Sequence, residues 1–210
     1  MNVVIAIDGP AASGKGTLAR RIAEHLGHPH LDTGLLYRAV ACTMLDRDLP
    51  LGDEGAAASV AERLDVAAID ESRLRGAPMG EAASVVSVHA GVRRALLDLQ
   101  RRFAAQPGGA VLDGRDIGTV VCPEAELKLF VTASPEERAR RRHLELTGRG
   151  ESVGYAEVLA AIRERDTRDS QRMAAPMRAA ADAIVLDTTD LDQDAAFARA
   201  LELVAEARAA

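Results

Sequence analysis

Lys15 is one of only two lysines among 26 basic residues, and it closes the run Gly9-Pro10-Ala11-Ala12-Ser13-Gly14-Lys15. Two glycines bracketing four residues, with lysine next, let successive backbone N–H groups turn inward around an anion. The ammonium then reaches further out along a chain of phosphates. Loops of this kind usually carry Ser or Thr directly after the lysine to hold magnesium; here Gly16 stands there and Thr17 follows. Either Thr17 supplies the hydroxyl or the metal keeps more of its own water, as Mg2+ readily does.

Three further groups of residues could do chemistry beside such a loop. In Leu31-Asp32-Thr33-Gly34-Leu35-Leu36-Tyr37-Arg38, Thr33, Tyr37 and Arg38 gather at a predicted helix start capped by Thr33. A helix N-terminus, a hydroxyl and a guanidinium together suit a phosphate or a sugar, and a plain capped helix with a solvated arginine suits the same residues equally well. In Val111-Leu112-Asp113-Gly114-Arg115-Asp116, an apolar strand delivers Asp113 to its end, Gly114 allows a close turn, and Arg115 and Asp116 project beyond it. Arginines then crowd residues 138–172, where Arg165, Arg168, Asp169 and Arg172 share one helical face. Guanidinium forks match phosphate oxygens, which favours a functional reading for Arg165 and Arg172; Arg140 and Arg163 read as solvated charges. The five histidines lack partners at metal-ligand spacing, and His28 and His30 read as a surface turn.

The elements that must position these groups alternate in type. Val3–Asp8, Ala110–Asp113, Leu127–Thr132 and Ala183–Asp187 are short apolar runs of buried-strand character. Helices are predicted over 15–26 with Gly27 as a stop, from Thr33, over 54–64, over 81–105, from Pro135 after a Ser134 cap to the break at Gly148-Arg149-Gly150, over 155–172 and over 192–208. Leu31–Gly34 reads as a short connection. Strands separated by helices give an α/β fold: a parallel sheet covered by helices on both faces, with the phosphate loop at its carboxyl edge.

Composition narrows the classes. Hydrophobic residues make up 48% of the 210, enough for one core, and with three Phe, two Tyr and no Trp that core must be aliphatic. A net charge of −6 argues against nucleic-acid binding, which wants a basic footprint. No apolar run approaches a membrane span, and no basic-then-apolar leader opens the chain. Cys42 and Cys122 show no C-x-x-C spacing and read as buried thiols. A cytoplasmic monomer working on small molecules is expected.

With these groups together, the chain resembles the bacterial cytidylate kinases, among the P-loop nucleoside monophosphate kinases. The residues that carry the likeness are Ile7-Asp8-Gly9-Pro10 with Gly14-Lys15-Gly16-Thr17, Leu31-Asp32-Thr33-Gly34 with Tyr37-Arg38, and Asp113-Gly114-Arg115-Asp116-Ile117-Gly118-Thr119-Val120-Val121. Glu164-Arg165-Asp166 with Arg168-Asp169 and Arg172, and Ala180-Ala181-Asp182-Ala183, complete it. The resemblance implies transfer of the γ-phosphate of ATP to CMP or dCMP, with Mg2+. It implies that Gly9, Pro10, Ala11, Ala12, Ser13, Gly14, Lys15, Gly16 and Thr17 hold the ATP phosphates, and that Lys15, Arg115 and Arg172 are catalytic. Arg38, Arg115 and Arg172 would clamp the acceptor phosphate, with Thr33 and Tyr37 close to it. Ser84, Arg93 and Asp116 would read cytosine, and Arg165 and Asp169 would contact the ribose.

The resemblance also implies a single P-loop kinase domain: a core over about 1–48, 106–137 and 173–210, a monophosphate-binding segment over about 49–105, and a lid over about 138–172 with arginines above ATP. Residues 65–81 are shorter than the family's usual insert, so its small antiparallel sheet is expected to be reduced or missing. Two alternatives stand beside this reading: a monophosphate kinase of other base preference, such as UMP/CMP, and a nucleotide-binding switch with no acceptor.

Overall fold

The computed structural model describes residues 3–74 and 76–209, and the chain separates into two compact units, Met1–Leu31 with Phe103–Ala210 and Asp32–Arg102. The first unit is built on a five-stranded sheet in the order β2-β3-β1-β4-β5. Its strands are β1 (Val4–Asp8), β2 (His30–Asp32), β3 (Ala110–Gly114), β4 (Leu127–Thr132) and β5 (Ile184–Asp187). β1 runs parallel to β3 and β4, and β4 parallel to β5. The three middle strands are buried apolar runs, as strands covered on both faces must be. Ile5, Ile7, Val111, Leu129 and Val131 pack with Leu18 and Ile22 of α1 (Lys15–Leu26) and with Leu203 and Val204 of α8 (Gln193–Ala209). The core is aliphatic, as composition requires.

Strand order places a topological switch between β1 and β3. The chain leaves β1 toward β2 on one side and leaves β3 toward β4 on the other, and the crevice between two such carboxyl ends is where α/β sheets bind ligands. The register pairs Asp8 with Gly114, so the Gly9 loop and the Arg115–Asp116 turn leave neighbouring strand ends. Helices α6 (Pro135–Gly148) and α7 (Tyr155–Gln171) pack on one another; α6 opens with Ser134 accepting from the Glu137 amide, as the sequence predicts.

The second unit is helical, with α2 (Thr33–Asp46), α3 (Glu54–Glu62), α4 (Ala77–Val86) and most of α5 (Ala90–Ala104). Between α3 and α4 lie two 3-10 turns, Val66–Ala68 and Glu71–Leu74, and among the described residues this stretch forms no strand.

Five expectations need correction, the first being that β5, read as a buried strand, keeps only Leu186 buried. Residues 81–105 are two helices, not one, because the chain breaks at Ser87–His89: Val86 is buried and Val88 is turned to solvent. Asp32, not Thr33, caps α2, accepting from the Gly34 amide at 2.9 Å; Thr33 is the first helical residue. His30 belongs to a strand rather than a surface turn. Cys42 is buried as expected, but Cys122 is only half-buried.

Candidate active site

The phosphate loop is shaped by two glycines that nothing else could replace. Gly9 has φ 148°, and a Cβ there would stand 2.0 Å from the Val131 carbonyl oxygen in β4. Gly14 takes the left-handed conformation at the N-cap of α1, with no side chain capping that end and no acid in its first turn. The first N–H groups of α1 therefore face out of the loop without side-chain competition, which is what an anion needs. Lys15 is buried, and its Nζ donates to the Pro10 carbonyl at 3.2 Å, spanning the loop that it serves. Ser13 is fully buried within it.

Arginines of α6 support the loop from behind. Arg138 is buried, forms a two-pronged pair with Asp166 (3.0 and 2.6 Å) and donates to the Ala11 carbonyl at 3.3 Å. Arg141 donates to the Ser13 carbonyl at 3.4 Å and to the Thr188 hydroxyl at 3.0 Å. Arg140 and Arg163, read from sequence as solvated, pair on the surface with Glu137 and Glu136.

At the end of β3, the structure brings five predicted site residues together. Arg115 Nε donates to Asp169 Oδ2 at 2.9 Å, and Arg165 Nε lies 3.8 Å from the same oxygen. Arg172 Nη2 stands 3.6 Å from Asp116 Oδ1, while its Nε donates to the Ala175 carbonyl at 2.6 Å. Asp116, Asp169 and Arg172 are buried. Burial pushes the Asp169 carboxyl up, but the guanidinium groups of Arg115, Arg165 and Arg172 outweigh it and leave the group below the ordinary aspartate range. Three arginines gathered around two buried carboxylates make a positively charged wall, with Arg115 hydrogen-bonded to Asp169 and Arg165 and Arg172 standing within 4 Å of a carboxylate oxygen.

Two carboxylates at the strand ends, seen in the sequence but given no role or partner there, are held by buried contacts. Asp8 is buried and accepts from the Ile117 amide at 2.8 Å and the Gly118 amide at 2.8 Å. Burial raises its pKa to about 6 against the pull of those amides, and the neighbouring Asp116 adds to the rise while Lys15 opposes it. Asp113 Oδ1 lies 2.8 Å from His30 Nε2 and accepts from it in the tautomer that carries the proton there, and Asp113 Oδ2 lies 3.6 Å from where a Cβ on Gly16 would be. A carboxylate oxygen thus stands against the position where the usual loop has its hydroxyl. The only available signal was the strand-end aspartate pattern, which says nothing of partners.

The remaining predicted residues lie in the second unit. Tyr37 and Arg38 are half-buried on α2, and Thr33 is buried at its start. Arg93 of α5 lies over the Tyr37 ring, 5.6 Å from its centroid, and donates to the Ser87 carbonyl at 3.4 Å; Ser87 in turn donates to the Ser84 carbonyl at 2.9 Å. The break between α4 and α5 thus links Ser84, Arg93 and Tyr37 in one chain of contacts. Arg38 donates to the Leu74 carbonyl at 3.3 Å. Among the described residues no cluster of His, Cys, Asp and Glu could hold a metal by itself, and no helix is long and apolar enough to cross a membrane.

A phosphate loop at a switch point followed by an arginine–aspartate wall is the arrangement against which known proteins can be compared. The sequence profile described as "Cytidylate kinase" matches residues 5–206. The chain belongs to the cytidylate kinase family. It is 66% identical over 207 residues to a cytidylate kinase of Xanthobacter autotrophicus, covering 99% of both chains. It is 63% identical to one of Methylocella silvestris over 98% of this chain and 95% of that one. Near-complete coverage of both partners means that these relatives run to about the same length as this chain. Among solved structures, a gluconokinase of Sinorhizobium meliloti superposes with a TM-score of 0.51 at 14% identity, covering 97% of this chain and 92% of that one. An uncharacterized protein of Eubacterium ventriosum gives 0.60 at 15%, over 98% and 99%. At such identities these two share the fold alone.

Proposed function

We propose that this cytidylate kinase transfers the γ-phosphate of ATP to CMP or dCMP, giving CDP or dCDP and ADP. The observation that carries the acceptor half is the gathering of half-buried Arg115 and Arg165 and buried Arg172 against the buried carboxylates of Asp116 and Asp169, at the switch point beside the phosphate loop. A nucleotide switch needs the loop but has no use for three guanidinium groups gathered next to it. Phosphoryl transfer needs them, because positioning and charge stabilisation supply most of its catalysis and no protein nucleophile is required.

In this reading Gly9 through Thr17 hold the ATP phosphates, and Lys15 neutralises the charge that builds as the bond to the leaving phosphate breaks. Arg38, Arg115 and Arg172 bind the acceptor phosphate, with Thr33 and Tyr37 beside it. Arg165 and Asp169 hold the ribose. Ser84, Arg93 and Asp116 read cytosine: a hydroxyl, a guanidinium and a carboxylate match its carbonyl, ring nitrogen and exocyclic amine. Uracil would set a carbonyl against the Asp116 carboxylate, a repulsion that cytosine avoids.

The residues around Gly16 fit Mg2+. Its preferred ligands are hard oxygens and water, and the Asp113 carboxylate beside Gly16 together with the Thr17 hydroxyl offers them without a side chain at position 16. When bound, the ion would neutralise charge on the transferring phosphates.

The segment boundaries expected from sequence, with a monophosphate-binding segment over about 49–105 and a lid over about 138–172, form part of this proposal. So do a monomeric state and a cytoplasmic location. The acidic net charge supports small nucleotides, rather than nucleic acid or membrane, as partners. The test is an ADP-release assay across CMP, dCMP, UMP and AMP. CMP or dCMP should give the highest kcat/KM, and a best rate with AMP would remove the cytidine assignment.

A further inference from the structure

The Asp116 turn is clamped by residues that touch no substrate in the reading above. Asp8 gives one carboxylate oxygen to each of two consecutive amides, Ile117 and Gly118, both at 2.8 Å and more than a hundred residues away in sequence. It does so while buried, so each bond is a charge-assisted bond shielded from water. On the other side, Gly118 rests on the aliphatic stem of Lys128: a Cβ at 118 would lie 3.2 Å from its Cδ, 3.3 Å from its Cγ and 3.5 Å from Asp8 Oδ2. The Lys128 ammonium is itself tied to the Pro123 carbonyl and, at 2.6 Å, to Asp182. Held from both sides, residues Ile117–Val121 coil into a π-helical turn closed by Cys122 N–H on the Ile117 carbonyl at 2.7 Å. Asp116 is the residue immediately before this turn, and its carbonyl accepts from Val120 and Val121 at 2.9 and 3.2 Å. Asp8, moreover, is the last residue of β1, and Gly9 of the phosphate loop follows it directly.

From this geometry we infer that Asp8 is a positioning residue for base selection: by holding the Ile117 and Gly118 amides it fixes where the Asp116 carboxylate stands. This rests on the reading of Asp116 as a cytosine contact. The same two bonds join the backbone that opens the phosphate loop to the turn that carries the acceptor-side carboxylate. One residue thereby registers the two loops against each other across the switch point.

The decisive variant is Asp8→Asn. An asparagine of the same shape can accept from one amide, but its NH2 group then faces the other N–H, donor against donor. The turn loses one anchor while the buried volume stays the same. The expected result is a fall of about tenfold in the CMP-over-UMP ratio of kcat/KM, the size of one lost charge-assisted bond, carried by a raised KM for CMP. The KM for ATP should stay within about twofold. An unchanged ratio, or a loss of kcat that is equal for both pyrimidines, overturns the inference, because a merely structural role predicts just that. Should Asp8→Asn fail to fold, Gly118→Ala lifts the same turn off Lys128 and must show the same split; an intact ratio there overturns the inference too. Asp116→Asn separates this inference from the reading beneath it. If Asp116→Asn leaves the ratio intact, the base reading fails and takes the Asp8 role with it. If Asp116→Asn lowers the ratio and Asp8→Asn does not, only the Asp8 role fails. In the double variant the two effects should not add, since they act on one carboxylate.

Discussion

In the first unit, ionised side chains pair beneath the surface and across long stretches of chain: Arg115 with Asp169, Arg138 with Asp166, Arg172 near Asp116. In the second unit, Arg73 meets Asp46 at 2.7 Å with 56% and 47% of the two side chains exposed. Its candidate recognition residues donate to neutral backbone carbonyls, Arg38 at 3.3 Å and Arg93 at 3.4 Å. The difference reflects two tasks. Charge that must meet a developing phosphoryl transition state has to be fixed and desolvated beforehand, because only preorganised charge avoids reorganisation during the reaction. Groups that recognise a substrate need only be available. Substitutions at the paired charges of the first unit should therefore damage rate and stability together, and those at the recognition residues of the second should be mild in stability.

The largest expected effect is that of Lys15→Ala. Removing the loop ammonium should lower kcat by about 10³-fold, in the range known for a lost transition-state charge contact. The fold should survive, because the loop carbonyl of Pro10 that Lys15 holds can be satisfied by water instead. Steady-state kinetics beside a urea melt would show it; retained turnover breaks the assignment of this loop as the donor site.

Asp169→Ala comes next and bears on stability. Asp169 is buried and pairs with Arg115 while facing Arg165, so its removal leaves two half-buried cations without that carboxylate. Breaking such a pair from one side costs about 3 kcal/mol. The urea midpoint should fall accordingly, and Asp169→Asn should recover part of the loss by keeping a hydrogen-bond acceptor for Arg115. A midpoint equal to the parent's would mean that the wall is solvated and that the contrast between the units is false.

How much of this was readable from residue types depends on the range of each interaction. β1, β3 and β4 were legible because a strand covered on both faces is a short apolar run. β2 was not, since His30–Asp32 is three residues long and half-exposed. The break at Ser87–His89 hid because it contains neither Gly nor Pro and because Val85, Val88 and Val92 keep helical spacing straight through it. The structure spoils that spacing by turning Val88 out and Val86 in. The loop, the Asp116 turn and the arginine-rich helix were legible as local patterns. Their partners were not: nothing in the spacing says that Arg115 meets a carboxylate 54 residues on, or that Asp8 caps a turn 109 residues on. Composition names the charges, and only the fold says which of them neutralise one another.

The smallest expected effect concerns acid, and Asp8 of the first unit and Asp46 of the second should respond with opposite sign. Asp8 has its folded pKa raised by burial from 3.8 to about 6, so between those values the folded state holds a proton that the unfolded chain has released. Protonation then favours folding: stability is higher near pH 4 and falls as pH rises toward 6, by on the order of 2 kcal/mol. Asp46 of the second unit is shifted downward by its hydrogen bond from Arg73, so its contribution is present above pH 3.8 and disappears only as pH falls below that. Urea midpoints measured across pH 4–7 separate the two. Asp8→Asn should flatten the fall between pH 4 and 6 relative to the parent. Arg73→Ala should leave that window unchanged and alter only the limb below pH 4. If Asp8→Asn keeps the parent's slope through that window, the Asp8 carboxyl is not desolvated in solution, and the buried carboxylate that distinguishes the first unit at the end of β1 is lost from the comparison.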